Sequence, residues 1–277
     1  MHDSVLKTKE MFDPKLEKIA KDLRINAEAD SLPINLETVA AYDGLILQPL
    51  SSYHHFHGKI EFLPDENVFV IYHPDPSTYP YPRRLRFSIA HELGHFYIDE
   101  HREALLRGET HSSEPGFRSK NPKELQADEF AAALLIPARL MDGTIDKRGF
   151  MSLDEVRNVS EKCGTSLYAT TIRYVKMASE ACLVVLAKNG DVKSCFCSDE
   201  ARYTRFGKIQ LSRLPAASPG HDLANEFGST EIREQKHVAS VWFAREEDIT
   251  IWENCTHVGD GYTISLLSIE GDQEENE

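Results

Sequence analysis

The sequence has no long apolar run, no surplus of cysteine and no excess of positive charge, and each lack excludes a class of protein. No stretch of its 277 residues approaches the roughly 18 apolar residues that a membrane-spanning helix needs. No membrane partner is therefore expected. Met1 to Ala20 mixes charged and apolar residues without a long apolar core, so no secretory leader is expected there. The five cysteines, Cys163, Cys182, Cys195, Cys197 and Cys255, are odd in number and scattered. That excludes a disulfide-stapled mini-protein and fits reduced thiols in a cytoplasm. Cys195 and Cys197 form a CxC pair open to a metal, but in a strand-like segment they read as ordinary strand side chains. Lys and Arg total 31 against 45 Asp and Glu, a net charge of −14. This argues against non-specific nucleic-acid binding, which depends on cations that neutralise phosphates. No internal repeat is visible.

What remains is an ordinary globular composition, with 41% hydrophobic and 27% charged residues. The length suggests about two domains. Asp13-Pro14 opens a helical pattern over 13–28, and 32–42 reads as a second short helix. Residues 44–47 read as a short buried strand. Residues 58–63 and 68–72 flank the turn cluster 64–67 and read as an antiparallel hairpin. A helix is predicted from Arg83 to about His101, then a polar loop over 102–120. Asn121-Pro122 opens a further helix that stops before Pro137. Residues 152–162 and 166–178 read as two helices around Gly164. Strands follow at 182–187, 192–198, 238–244 and 263–267. The fold class is α+β, with 1–180 as a helical domain carrying a small hairpin. Residues 181–268 form a strand-rich module, and 269–277 an acidic, disordered tail.

The chemistry centres on His91-Glu92-Leu93-Gly94-His95, an HExxH inside the predicted helix 83–101. One helical turn separates the two histidines, so both imidazoles leave the same face. Two neutral nitrogens so placed can grip a zinc ion, and Glu92, offset by about 100°, can serve as general base. A catalytic zinc needs a third protein ligand and an open position. Glu124 and Asp128, spaced i, i+4 on the next helix, share a face. Glu124 supplies the third ligand, and Asp128 can accept a hydrogen bond from the far nitrogen of a ligating histidine. A first-turn Glu also suits the helix dipole with no metal at all. Two motifs on two helices separated by one loop favour the metal.

These residues carry a family resemblance. Arg84–His95 (RLRFSIAHELGH) and Glu124–Pro137 (ELQADEFAAALLIP) resemble the two signatures of the ImmA/IrrE metallopeptidases, RF-x-x-AHELGH and E-x-x-A-(N/D)-x-FA-x-x-LL-x-P. The resemblance is tight over the metal helices and loose from about residue 30 to 178. It implies a minimal zincin of the thermolysin type. His91, His95 and Glu124 would hold one Zn2+, with Mn2+ able to substitute, and Glu92 would be the catalytic base. It further implies a protein substrate, a helix-turn-helix repressor encoded nearby, and a role in a stress or mobile-element response. The insert His111–Lys120 and everything after 180 lie outside the signatures.

The expected function is thus a cytoplasmic zinc endopeptidase. The competing reading is a regulatory protein that binds a partner or DNA on a zinc scaffold without cleavage. The intact Glu92 favours the enzyme. A small-molecule or protein ligand is a third expectation, at the strand-rich module. Helices 152–178 could form a helix-turn-helix, but Arg173 and Lys176 are few cations for a DNA-reading helix, so a structural pair is favoured. The cluster His54, His55 and His57 reads as exposed loop. Trp242, Phe243 and Trp252 read as core or interface aromatics. Tyr97, His101 and His111 are candidate oxyanion donors, and the hairpin 58–72 a candidate edge for an extended substrate.

Overall fold

The computed structural model describes residues 13–51, 58–109, 111–113 (backbone only), 121–141, 149–204, 206–226, 229–243 and 249–270. The histidine cluster 54–57, the insert 114–120 and the acidic tail beyond 270 lie outside these residues. The chain divides into two compact units. One, the site unit, comprises Asp13–Leu140 and Val159–Ser166; the other, the sheet unit, comprises Met141–Asn158 and Leu167–Glu277.

In the site unit, helix α1 (Pro14–Asn26) starts where the Asp13 side chain accepts from the Lys15 amide, with Pro at its first turn. The short α2 (Leu36–Tyr42) is capped by Asn35 in the same way. Strand β1 (Ile46–Leu50) then runs parallel to β3 (Val68–Pro74), which pairs antiparallel with β2 (Gly58–Leu63). Asn67, at φ 52, closes the predicted hairpin. Next come α3 (Pro82–Tyr97), α4 (Asp99–Leu106), the short β4 (His111–Ser113) and α5 (Pro122–Leu135). The sheet order is β1-β3-β2-β4.

Three expectations need correction here. The segment read as a buried strand is an exposed edge, with Ile46 44% accessible. The single helix 83–101 is two helices, because Ile98 takes an extended conformation that ends α3 and precedes α4. The loop 102–120 contains the end of α4 and β4, which pairs with β2 from Gly58↔Ser113 to Ile60↔His111. Both hairpin strands are therefore interior, and the sheet's edges are β1 and β4.

Helices α6 (Leu153–Cys163) and α7 (Leu167–Met177) follow, with Gly164 at φ 63 between them. The sheet unit continues with β5 (Cys182–Lys188), β6 (Asp191–Cys197), α8 (Asp199–Tyr203), α9 (Pro219–Leu223), β7 (Arg233–Val238), β8 (Thr250–Gly259) and β9 (Tyr262–Ile269). These five strands are antiparallel throughout, in the order β6-β5-β9-β8-β7. Alternation puts Leu183, Val185, Ile251, Leu267 and Ile269 on one face, under Trp242, Phe243 and Phe206. On α7 the Tyr168 hydroxyl lies 2.6 Å from Ser194 Oγ, and Arg173 is buried. Burial withdraws Arg173, one of the two cations of α7, from the surface that a nucleic-acid backbone would meet.

The strand predicted at 238–244 is instead the end of β7 followed by a 3-10 turn, Ala239–Val241. Its apolar residues cover the sheet rather than join it. The real strand β8 looks polar because it carries Glu253 and Asn254. Glu253 is fully buried and accepts four hydrogen bonds: from Ser218 Oγ (2.6 Å), Ser265 Oγ (2.8 Å), His237 Nε2 (3.1 Å) and Trp242 Nε1 (3.1 Å). Four donors replace its hydration, so the carboxylate ties β7, β8, β9 and α9's cap together. No helix of the described residues is long and apolar enough to cross a membrane.

Candidate metal centre

Helix α3 exists because Pro82 stands at its first turn and Leu85, Ile89, Leu93 and Phe96 supply a buried face. Helix α5 begins at Asn121, whose side chain accepts from the Lys123 amide, and has Glu124 in its first turn. The two helices meet where α3 has Gly94 and α5 has Ala127. A Cβ on Gly94 would fall 3.1 Å from Ala127 Cα and 3.2 Å from its carbonyl oxygen. The crossing therefore depends on small residues at the contact. Ala127 sits between Glu124 and Asp128, so close approach at that point carries both carboxylates to the histidines. At the far end of α5, the buried Arg24 of α1 donates to the carbonyls of Ala133 (2.6 Å) and Leu134 (3.3 Å). It thereby satisfies groups that a helix C-terminus leaves open.

His91, His95 and Glu124 come together. His91 Nε2 lies 3.1 Å from His95 Nε2 and 3.3 Å from Glu124 Oε2, and His95 Nε2 lies 3.7 Å from Glu124 Oε1. Ligands at 2.0–2.1 Å in a tetrahedron stand about 3.3 Å apart. Two imidazoles and a carboxylate at these separations fit a divalent ion, and the three residues could hold one. Both histidines are buried, and so is Glu92, at 0% accessibility, one residue on from His91.

His91 Nδ1 lies 2.8 Å from Asp128 Oδ1. Burial works against a charged His91 ring, but the hydrogen bonds to Asp128 and Glu124 and the charge of Glu92 outweigh it. The ring is pushed up to about 10. Surroundings that hold a proton this firmly also favour a cation between the three groups.

Tyr97 and His101 are committed to other partners. The Tyr97 hydroxyl donates to Asp43 Oδ2 at 2.8 Å, and its ring stacks on Phe130. His101 is buried beside His95, with ring centroids 5.0 Å apart, and its Nε2 lies 3.1 Å from Gln126 Oε1. Burial holds the His101 ring below the usual histidine range. The side chain of His111 lies outside the described residues. Gln126 drew no notice in the sequence; its place two residues after Glu124 on α5 is the signal that was there to use. Gly58, which opens β2 beside Glu92, was likewise missed.

Residues 77–164 match the family model of the IrrE N-terminal-like domain, Peptidase M78. This stretch contains α3, α5 and all five residues of the site. No curated protein matches the chain in sequence. Among solved structures, a Mycobacterium tuberculosis transcriptional regulator is similar over 93% of this chain and 77% of its own, with a TM-score of 0.59 and 13% identity. At that identity the likeness is one of fold.

Proposed function

We propose that the chain is a zinc-dependent endopeptidase whose substrate is a protein, a helix-turn-helix repressor encoded nearby. The observation that carries the reading is the spacing of His91 Nε2, His95 Nε2 and the Glu124 carboxylate, at 3.1–3.7 Å, with a further carboxylate, Glu92, next in sequence. The peptidase family matched by residues 77–164 supports it. The fold shared with a transcriptional regulator is compatible with a place in gene control.

In this reading His91, His95 and Glu124 hold the ion, which when bound supplies Lewis-acid polarisation of a peptide carbonyl and acidifies water. Asp128 holds the proton on His91 Nδ1, so that Nε2 presents its lone pair to the ion. Glu92 takes a proton from the attacking water and delivers it to the leaving amine nitrogen. Its buried position, away from bulk water, keeps that proton transfer within the site. Among the described residues β4 is the edge strand next to β2, and an extended substrate would pair with it by main-chain hydrogen bonds.

The test is incubation with the repressor of the neighbouring reading frame. Cleavage should stop when a chelator removes the metal and return when zinc is restored. Glu92→Gln should bind one metal per chain and cut at least about a hundred-fold more slowly, the lower end of the range for general acid–base catalysis. Loss of the repressor that continues in chelator, or a Glu92→Gln variant as fast as the wild type, overturns the reading.

A further inference from the structure

Gly58 opens β2 against α3, and its contact with Glu92 is closer than a side chain at 58 would allow without Glu92 moving. A Cβ built on Gly58 would stand 2.8 Å from Glu92 Oε1, 3.0 Å from its Cγ and 3.3 Å from its Cδ. The end of the Glu92 side chain therefore lies along bare strand backbone, not just its tip. Backbone conformation does not explain the glycine, because Gly58 is not among the residues with positive φ. Strand propensity does not favour it either, since glycine is depleted in strands. Nor can the strand easily retreat. Lys59 is paired on one side with Tyr72 and on the other with Ser112, and Gly58 itself with Ser113. Room for the Glu92 carboxylate is what remains to account for a glycine at this position.

We propose that Gly58 is a positioning residue: the strand backbone at this point is the wall that sets where the Glu92 carboxylate rests. Its bearing on catalysis rests on the peptidase reading above. A methyl group at 58 would push the carboxylate off that wall. The three atoms nearest the added carbon all belong to Glu92, so the strain falls first on that side chain; metal binding should survive while proton transfer suffers. Displacing a reacting group by about 1 Å can cost about a hundred-fold in rate.

Two measurements on the full chain decide the matter. The first is a melting cycle of wild type, Gly58→Ala, Glu92→Ala and the double variant. Gly58→Ala should lower the Tm by a few degrees when Glu92 is present. With Glu92→Ala the same change should leave the Tm unchanged or raise it, because the methyl then has room and alanine suits a strand better than glycine. The second is kinetics of the zinc-loaded chain. Gly58→Ala should lower kcat by between about ten- and a hundred-fold, with KM and metal content unchanged. In a Glu92→Asp background, where the carboxylate is drawn back by one methylene, it should cost far less. An equal Tm effect in both Glu92 backgrounds overturns the contact, and a wild-type kcat for Gly58→Ala overturns the positioning role. A wild-type chain that cleaves nothing overturns the peptidase reading alone; the melting cycle then still supports or refutes the placement of Glu92 by Gly58.

Discussion

The Asp128 carboxylate, half exposed on α5, has His91 Nδ1 as its partner at 2.8 Å. The bond fixes which nitrogen carries the proton, and that nitrogen faces away from Glu124. Asp128→Ala should therefore keep the fold and weaken metal affinity by about 10–100-fold, read by competition with a chromophoric chelator. Affinity equal to the wild type would show that the pair does not orient the ring. At this scale the sequence was highly legible. Residues at i, i+1 and i+4 of one helix have their directions set by helical geometry alone, so a helix at this place was enough to bring His91 and His95 together with Glu92 next to them. Glu124 and Asp128 needed a second helix, which Asn121 and Pro122 announced. Gly58 could not be read this way. Its meaning is a steric clearance to a residue on another element, and no local pattern records that.

Elements whose signals are local formed as expected, and those that answer to tertiary contacts did not. The caps Asp13, Asn35 and Asn121 all bond as the residue types suggest. The hairpin β2–β3 formed about its turn. Strand β8 was missed because Glu253 reads as solvent-facing until Ser218, His237, Trp242 and Ser265 are seen around it. The segment 238–244 misled for the opposite reason, since Trp242 and Phe243 are apolar in order to roof the sheet. Helix α5 offers a test of how element placement serves the site. Arg24 is the buried donor to the Ala133 and Leu134 carbonyls, and it also bonds Asp30 through Nε at 3.0 Å. Arg24→Met keeps most of the stem packing and removes those bonds. It should cost about 2–3 kcal/mol in chemical denaturation and weaken metal binding through looser seating of Glu124. A denaturation midpoint equal to the wild type would show that α5 needs no such cap.

For the molecule as a whole, burial of weak acids sets a limit on the alkaline side. Burial pushes the Cys163 thiol up to about 11. It also raises Tyr97 in the site unit, and Tyr174, Cys182 and Cys255 in the sheet unit, well above their ordinary values. Each of these groups keeps its proton when folded and releases it when unfolded. Their contribution is complete below the unfolded values, about 8.5 for Cys and 10 for Tyr, and is lost as pH climbs toward the folded ones. The Tm should fall steadily from about pH 8.5 to 11. A flat Tm across that window would mean that these groups are not sheltered as the structure has them.

The make-up of the two units has a consequence for synthesis on the ribosome. Residues 141–158 belong with the sheet unit, yet Val159–Ser166 return to the site unit before Leu167 leaves it again. Buried Met151, Leu153 and Val156 thus emerge roughly a hundred residues ahead of β8, to which the Leu153 amide and the Arg157 side chain bond. At about 5–20 residues per second that is a wait of about 5–20 seconds with apolar side chains uncovered. The site unit needs only the chain up to Ser166 and can close meanwhile. The nascent chain would then carry a finished metal pocket while the segment on either side of Leu153 is still a target for chaperones.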